Sequence, residues 1–313
     1  MRRLLFNMLL LFCLTAEGQL RLVSYNVENL FDTRHDSLHR DEDFTPEGKY
    51  RWNNHRYNRK VEKLARVIAN IGGWQPAAAV GLLEVENEHC LQRLLCRGGL
   101  RNMGYRYLHR ESPDRRGIDC ALLYDPQQLQ LVDSAWLRIP TKEPTRDILY
   151  AAFGCGGEDT LHILLCHLPS QRGGAQQSED RRAAAYHVAE QHTDSLLRAN
   201  PAACIVVMGD MNSQPSDRIK GLHNLMIPIE KAGEGSYKWK GVWSCLDQVY
   251  VSPSLLTLTE AHIYDAEWLL EDDNAYGGKR PMRCYRGLRW QDGYSDHLPV
   301  YADYTPSRSN EAP

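Results

Sequence analysis

Five apolar, strand-like runs of the chain end in acidic, histidine or asparagine residues, and this feature restricts the fold more than any other. Polar side chains at the rim of a rigid sheet can converge without leaving a charge buried and unpaired. The pattern therefore predicts sheets whose strand ends meet at one polar site. The runs with their polar ends are SYNVEN with Asn26, GLLEVEN with Glu84, LLCHLPS with His167, VVMGDMN with Asp210 and Asn212, and GYSDHLPV with Asp296 and His297.

The order of helical and strand-like segments indicates a layered α+β sandwich. Apolar residues at helical spacing predict helices over 56–71 and 176–198, and a shorter helix is predicted over 87–96. Strands alternate with these helices but also follow one another directly, so we expect two sheets packed face to face with helices outside. The predicted strands are 20–27, 77–84, 105–110, 117–124, 128–139, 148–154, 160–167, 203–208, 246–252, 261–268 and 298–304.

The chain is long enough to bury a large core in one unit. A chain of 313 residues buries roughly three quarters of its unfolded surface on folding. No linker, internal repeat or low-complexity block divides it. We therefore expect a single domain over residues 19–313, preceded by an export signal.

Residues 1–18 have the composition of a cleaved signal peptide. Two arginines precede an apolar run from Leu4 to Leu14, and Ala16-Glu17-Gly18 supplies the small residues of a cleavage site. The run is too short to span a bilayer. The alternative is a buried helix or a frayed first strand. We expect an exported protein, periplasmic or secreted, with no membrane segment after cleavage and eight cysteines whose pairing the spacing does not reveal.

The polar ends favour a site for a hard divalent cation. Taken singly, each residue has an ordinary structural explanation, such as a turn-forming Asn, a capping Asp or a hydrogen-bonded His. Together, carboxylate and amide oxygens suit Mg²⁺, Mn²⁺ or Ca²⁺ better than zinc, which usually takes several His or Cys at short spacing. His167 and His297 each follow an apolar strand and lie 130 residues apart, which suits acid/base chemistry beside a phosphate.

In this order the motifs SYNVEN, LLEVEN, CHLPS, GDMNSQPSD, LDQVYVS and YSDHLPV resemble those of the endonuclease/exonuclease/phosphatase superfamily of metal-dependent phosphoesterases. The resemblance runs from about residue 20 to 304, with GDMN and SDHLP as its most specific parts. It implies a deoxyribonuclease I-like, four-layered α/β sandwich with two mainly antiparallel sheets. It also implies hydrolysis of a phosphate ester with a divalent cation, Mg²⁺ or else Mn²⁺ or Ca²⁺.

The resemblance assigns roles to the residues that match the family motifs. It makes Glu84 the principal metal ligand, with Asn26 and Asp296 close to the metal or its waters. His297 is then the general base that takes a proton from the attacking water. Asp247, which begins its strand rather than ending it, accepts a hydrogen bond from the His297 ring and fixes its tautomer.

Further residues follow from the same resemblance. Asp210 and Asn212 position the water and the phosphate oxygens, and His167 supports the phosphate or the leaving group. Asp119, in RGIDCALLY, is the expected acidic partner of His167. Glu28 lies where some members carry a second acidic residue near the metal, although an exposed loop Glu explains it equally well.

Local features bear on the substrate. Tyr237 and Trp239 alternate with lysines in GSYKWKG, an arrangement that suits stacking on a base or sugar, or packing into the core. The loop 35–54 and the stretch 271–291 are expected to form rims of the cleft. The candidate phosphate-binding cations, which are otherwise ordinary surface charges, are Arg115, Arg116, Arg172 and Lys238.

The overall charge does not indicate binding to long duplexes. With 37 Lys and Arg against 40 Asp and Glu, the formal charge is -3, so no global basic field attracts nucleic acid. The leading hypothesis is an exported, monomeric, metal-dependent phosphodiesterase. Nucleic acid is the first substrate class to test, and endonuclease activity is the first form of cleavage to test. The alternatives are an esterase for a lipid or small-molecule phosphate, and a noncatalytic binding protein on the same fold.

Overall fold

A computed structural model describes residues 19–155, 160–170 and 175–305. The predicted signal peptide, residues 1–18, and the candidate phosphate ligand Arg172 lie outside these residues. In chain order the elements are β1 (Leu20–Leu30), α1 (Asn54–Ile71), β2 (Ala79–Val85), α2 (Glu88–Leu95), β3 (Arg106–His109), β4 (Asp119–Tyr124), β5 (Gln130–Leu137), β6 (Ile148–Gly154), β7 (Thr160–His167), α3 (Ala175–Ala199), β8 (Cys204–Asp210), β9 (His223–Asn224), α4 (Ile227–Lys231), β10 (Tyr237–Trp239), β11 (Val242–Ser244), β12 (Asp247–Val251), β13 (Thr259–Ile263), β14 (Leu270–Asp272), β15 (Lys279–Pro281), β16 (Tyr285–Arg286), β17 (Arg289–Trp290) and β18 (Val300–Tyr304).

Two six-stranded sheets form the centre of the described fold. The first has the order β13-β18-β1-β2-β4-β3, and the second has the order β5-β6-β7-β8-β12-β9. Each sheet contains one parallel pair, β1 with β2 and β7 with β8, while its other neighbours are antiparallel. Parallel neighbours need a crossover, and α1 and α3 lie in the two crossovers. The prediction of two mainly antiparallel sheets is confirmed.

Successive side chains of a strand point to opposite faces of its sheet. Each sheet therefore contributes to one core between the two sheets and to one core on its outer face. Leu22 of β1 and Met208 of β8 face the core between the sheets, whereas their neighbours Val23 and Val207 face outward. Gly81 brings the sheets close together, because a Cβ there would lie 2.4 Å from Leu165 Cδ1 of the other sheet. The outer face of the first sheet packs against α1 and α2, and that of the second packs against α3. The four predicted layers follow from this packing.

The first helix shows how local sequence produces an outer layer. The Asn53 side chain caps α1 by accepting hydrogen bonds from the backbone N–H groups of His55 and Arg56. The helix buries Val61, Leu64 and Ile68 at helical spacing, as predicted. Such a stripe must pack on an apolar surface, and the outer face of the first sheet supplies it.

Some predicted elements differ from the structure. The strand predicted over 261–268 is only Thr259–Ile263, because the chain then forms a short 3-10 turn at Glu267–Leu269 before β14. Three small hairpins, β10 with β11, β14 with β15 and β16 with β17, were not predicted. Their strands have two or three residues each, too few for an alternating pattern to be recognised.

The eight cysteines of the described residues form no disulfide with one another. Within the same residues, no helix combines the length and the apolar character that crossing a membrane requires.

Candidate active site

The polar strand ends meet because of the two parallel pairs. Asn26 and Glu84 lie toward the carboxyl ends of β1 and β2, and His167 and Asp210 are paired directly at the ends of β7 and β8. Asp247 begins β12, but β12 runs antiparallel to β8, so Asp247 is paired in register with Asp210. The start of one strand and the ends of its neighbours therefore share one edge of the sheet.

These ends open into a single cavity of about 480 Å³. The predicted site residues that line it belong to both sheets and to the loops before β4, after β8 and before β18. They are Asn26, Glu84, Arg116, His167, Asp210, Asn212, Asp296 and His297. A cavity of this size matches the usual range for small-ligand sites, about 300–1,000 Å³.

His297 is held by a buried carboxylate. Its Nδ1 lies 2.7 Å from Oδ2 of Asp247, which is 0% exposed and also accepts a 2.6 Å hydrogen bond from the Ser236 hydroxyl. The Ser295 hydroxyl accepts a hydrogen bond from the His297 backbone N–H at 3.1 Å and donates one to the Asn26 carbonyl at 2.6 Å. With Nδ1 engaged, Nε2 of His297 is the ring atom directed to Asp210, at 3.9 Å from its Oδ2.

The charges around His297 favour its protonated form in the absence of a cation. Burial by itself would lower the pKa of His297, but Asp247, and then Asp210 and Asp296, raise it to about 10. Burial also raises the pKa of Asp210, against the opposing effect of His297. Asp210 and His297 therefore each affect the pKa of the other across the 3.9 Å that separates Oδ2 of Asp210 from Nε2 of His297.

Asp210 is the junction between the two sheets. Its Oδ2 accepts a 3.1 Å hydrogen bond from Nδ2 of Asn26, and its Oδ1 accepts a 2.9 Å bond from the Asn212 backbone N–H. The glycine before it is required, because Gly209 has φ +145° and a Cβ there would lie 1.8 Å from the Cys166 carbonyl oxygen. The Gly-Asp-Met-Asn motif therefore needs its glycine for the backbone conformation and its polar residues for the contacts in the cavity.

Three residues that line the cavity have strained backbones. Glu84 has φ +68° at an irregularity in the pairing of β2, Asn29 has φ +56° and Asn212 has φ +49°. Glu84 Oε2 accepts a 2.8 Å hydrogen bond from the Asn29 backbone N–H, which leaves Oε1 3.8 Å from Nε2 of His167. Residues in this left-handed region are uncommon apart from Gly, and the strain is concentrated where side chains enter the cavity.

His167 is a neutral imidazole in this setting. Burial, and then the positive charges of Arg146, Arg116 and His297, hold the pKa of His167 well below its usual value. Its Nε2 lies 3.7 Å from Asp210 Oδ2, too far for a direct hydrogen bond. Among the described residues its buried Nδ1 has no hydrogen-bond partner.

Residues 21–305 match the sequence profile of the Endonuclease/Exonuclease/phosphatase family. The chain belongs to this family. Its members are metal-dependent phosphoesterases, and the chain is a hydrolase of that class. No curated protein matches the chain significantly.

Solved structures share the fold at low sequence identity. Truncated TDP2 of Caenorhabditis elegans is 13% identical with a TM-score of 0.61, over 92% of this chain and 98% of that one. The human Nocturnin catalytic domain with bound sulfate anion is 17% identical with a TM-score of 0.56, over 91% and 94%. TDP2 of D. rerio complexed with single strand DNA product is 17% identical with a TM-score of 0.57, over 92% and 100%. These likenesses support the deoxyribonuclease I-like sandwich.

The donor atoms of the cavity fit the divalent ion that the endonuclease/exonuclease/phosphatase family uses. Glu84, Asn26 and Asp296 all present oxygen, the donor that Mg²⁺, Mn²⁺ and Ca²⁺ prefer. The described residues contain one group of three His, Cys, Asp or Glu side chains whose ligand atoms all lie within 4.8 Å of one another. This group is His35, Asp41 and Glu42, and it lies outside the cavity. In the cavity, Asp296 Oδ2 instead lies 2.8 Å from a guanidinium nitrogen of Arg283.

Several predicted residues do not reach the cavity. Asp119 does not pair with His167: its Oδ1 accepts the Ser112 backbone N–H at 3.0 Å and its Oδ2 lies 3.6 Å from His109 Nε2. The Lys238 ammonium is turned to the Gly277 and Lys279 carbonyls, so Lys238 joins two hairpins rather than binding phosphate.

The remaining candidates divide between the cavity and the surface. Arg115 is exposed and absent from the cavity lining, whereas Arg116 lines it.

The suggestion of an exposed Glu28 is wrong. Glu28 is 6% exposed, and burial, followed by the charge of Asp296, raises its pKa. The Cys284 backbone N–H donates to it at 2.7 Å.

Sequence reasoning missed Arg283, Ser236 and Asn29. Arg283 lies 2.8 Å from Asp296 Oδ2 and 3.4 Å from Glu28 Oε1, and it lines the cavity. No apolar run precedes Arg283, so the pattern that revealed the other residues could not reveal it. Its position within the predicted rim 271–291 is the only signal that the sequence carries.

Proposed function

We propose that the chain is an exported, divalent-metal-dependent phosphodiesterase that cleaves nucleic acid, in the first instance as an endonuclease. The observation that carries the proposal is the buried pair of His297 and Asp247, which faces a cavity shared with Glu84, Asp210 and Asn212. An imidazole fixed by a carboxylate beside clustered oxygen donors is the arrangement that hydrolysis of a phosphate anion needs.

The spacing around Asp210 leaves room for one oxygen atom beside each of the two histidines. Oδ2 of Asp210 lies 3.9 Å from Nε2 of His297 and 3.7 Å from Nε2 of His167. These distances exceed a hydrogen bond, and an oxygen atom placed between each pair of groups would close both gaps. We assign the oxygen beside His297 to the attacking water, with Asp210 and Asn212 orienting it.

His297 takes the proton of that water at Nε2. Asp247 stabilises the imidazolium that forms, because its carboxylate accepts the Nδ1–H hydrogen bond. His167 stays neutral and contacts the phosphate or the leaving group. A divalent cation held by Glu84, Asn26 and Asp296 would offset the phosphate charge, stabilise the leaving oxygen and oppose the protonation of His297.

Two observations support nucleic acid as the substrate. Trp239 lines the cavity and is 59% exposed, so a base can stack on its ring. Arg116 lines the same cavity and offers a cation for a phosphate. The D. rerio TDP2 structure with single strand DNA product shows such a ligand on a protein of this fold.

The test is a hydrolysis panel on the purified chain, with and without chelator. The panel contains plasmid DNA, RNA, sphingomyelin, a phosphoinositide and bis(4-nitrophenyl) phosphate. We expect DNA cleavage that chelator abolishes and that His297→Ala lowers by about 10². The matched control is His187→Ala, on an exposed position of α3.

The other outcomes distinguish the proposal from its alternatives. Cleavage of the lipids alone would assign a lipid phosphoesterase, and metal binding without hydrolysis would assign a binding protein. Nicked but uncut plasmid is still endonuclease activity, whereas release of mononucleotides alone would indicate an exonuclease.

Export, a monomeric state and the single domain over 19–313 belong to the same proposal. N-terminal sequencing of the protein recovered outside the cytoplasm should begin at Gln19, and light scattering should give the monomer mass. A product that retains residues 1–18, or a dimer mass, would overturn the respective part.

A further inference from the structure

Arg146 is a buried arginine that lies outside the cavity lining and that the sequence analysis did not single out. It lies two residues before the start of β6, and 4% of its side chain is exposed. Its guanidinium makes two hydrogen bonds in different directions. Nη1 donates to Asp114 Oδ2 at 2.8 Å, and Nη2 donates to the Leu168 carbonyl oxygen at 3.1 Å.

The bond from Arg146 to Asp114 connects Arg146 to Arg116, because Asp114 also accepts from the Arg116 backbone. Oδ1 of Asp114 accepts the Arg116 backbone N–H at 2.9 Å, and the Asp114 carbonyl accepts the Gly117 N–H at 3.0 Å. Gly117 has φ +67°, so the chain makes a tight turn over 114–117. Arg146 holds the carboxylate around which this turn is built, and the turn carries Arg116 into the cavity.

The second bond leads to Asn212. The Leu168 carbonyl that accepts from Arg146 also accepts from Asn212 Nδ2 at 3.0 Å. The Leu168 backbone N–H donates to the Asp210 carbonyl at 2.9 Å. Leu168 therefore fixes which end of the Asn212 amide is turned away from the cavity, and Arg146 fixes the peptide group of Leu168.

We propose that Arg146 is a positioning residue that sets Arg116 and Asn212 at the same time. This inference rests on the proposed function, in which both residues contact the phosphate or its attacking water. The planar guanidinium is essential, because its fork directs donors to Asp114 and Leu168 simultaneously. A lysine ammonium at the same place would satisfy one of these acceptors and leave the other.

The test is Arg146→Lys, measured on bis(4-nitrophenyl) phosphate with Mg²⁺. We expect kcat/KM to fall at least 10-fold, with KM raised and kcat lowered. In an Arg116→Ala background the change in KM should disappear, and in an Asn212→Ala background the change in kcat should disappear, since coupled residues are not additive. The matched control is Arg138→Lys, whose 59% exposed side chain pairs with Asp147.

A variant that acts only through stability would behave differently. If Arg146→Lys lowers activity equally in all three backgrounds, or leaves both constants within twofold of the wild type, the inference is wrong. If Arg146→Lys does not fold, Asp114→Asn replaces it, because the amide oxygen can still accept the Arg116 N–H. That variant should raise KM and change kcat less than twofold, and a lowered kcat with unchanged KM would overturn the inference.

Binding of inorganic phosphate separates this inference from the proposed function. Calorimetry with Mg²⁺ present should show phosphate binding to the wild type, about 10-fold weaker binding to Arg146→Lys, and no further loss when Arg116→Ala is added. A wild type that binds phosphate but hydrolyses no ester would overturn the proposed function alone. A wild type that does not bind phosphate, or equal affinities in both proteins, would overturn the role of Arg146.

Discussion

Replacing Asp247 with Asn tests the hydrogen bond on which the proposed chemistry depends. Asp247 Oδ2 accepts from both His297 Nδ1 at 2.7 Å and the Ser236 hydroxyl at 2.6 Å, and its Oδ1 has no hydrogen-bond partner among the described residues. In the variant one oxygen can still accept both bonds, but the charge is lost. The amide nitrogen then occupies the buried position of Oδ1 without an acceptor among those residues.

The magnitude follows from these contacts. A hydrogen bond to a charged group contributes about 1.5–3 kcal/mol, and an unsatisfied buried amide costs about 1–3 kcal/mol. The lost hydrogen bond to a charged group affects the imidazolium formed in the transition state. We therefore expect kcat to fall by about 10- to 150-fold, while KM changes less than threefold. The unsatisfied buried amide affects the folded state and should lower the free energy of unfolding by about 1–3 kcal/mol.

Steady-state kinetics on bis(4-nitrophenyl) phosphate with Mg²⁺ measure the first effect, and urea denaturation measures the second. The matched control is Asp133→Asn, an exposed residue of β5, for which we expect neither change. A kcat within threefold of the wild type in folded Asp247→Asn protein would refute the role of the His297–Asp247 pair.

Three further predictions concern the metal, the pH dependence of stability and the core. Glu84→Gln should weaken Mn²⁺ binding, measured by calorimetry, at least 10-fold; unchanged affinity would remove Glu84 from the ligand set. Burial, and then His192, lowers the pKa of His162, so the folded protein resists protonation there and stability should decline as pH falls below 6.5. His162→Gln should reduce that decline in urea denaturation between pH 7 and 5, and an identical slope would contradict the assignment. Phe153→Ala, in the core between the sheets, should lower the free energy of unfolding by about 3–5 kcal/mol, and a loss below 1 kcal/mol would indicate a loosely packed interface.

The two long helices and most strands were predictable because their signals are local. The α1 stripe of Val61, Leu64 and Ile68 and the apolar run of β8 each identify an element without reference to the rest of the chain. The small hairpins were not predictable, since strands as short as Tyr237–Trp239 form only where a neighbouring segment supplies the hydrogen bonds.

The sequence by itself determined which residues could carry the chemistry. Asn26, Glu84, His167 and Asp210 lie toward the ends of their strands, and His297 lies in the loop before β18; these positions place polar side chains at one edge of the sheets. Their types, oxygen donors and imidazoles, restricted the reaction to chemistry with a hard cation and a proton acceptor.

Only the tertiary structure decided which of them meet and which cations face them. Asp119 and Lys238 are bonded elsewhere. Arg283 lies against Asp296, and Arg146 donates to the Leu168 carbonyl next to His167, although no sequence pattern marks either arginine. The physical reason is the distance along the chain over which each kind of interaction acts. Strand and helix signals extend over a few neighbouring residues, whereas the side-chain contacts that choose a partner for Asp296 or Leu168 form between segments that only packing brings together.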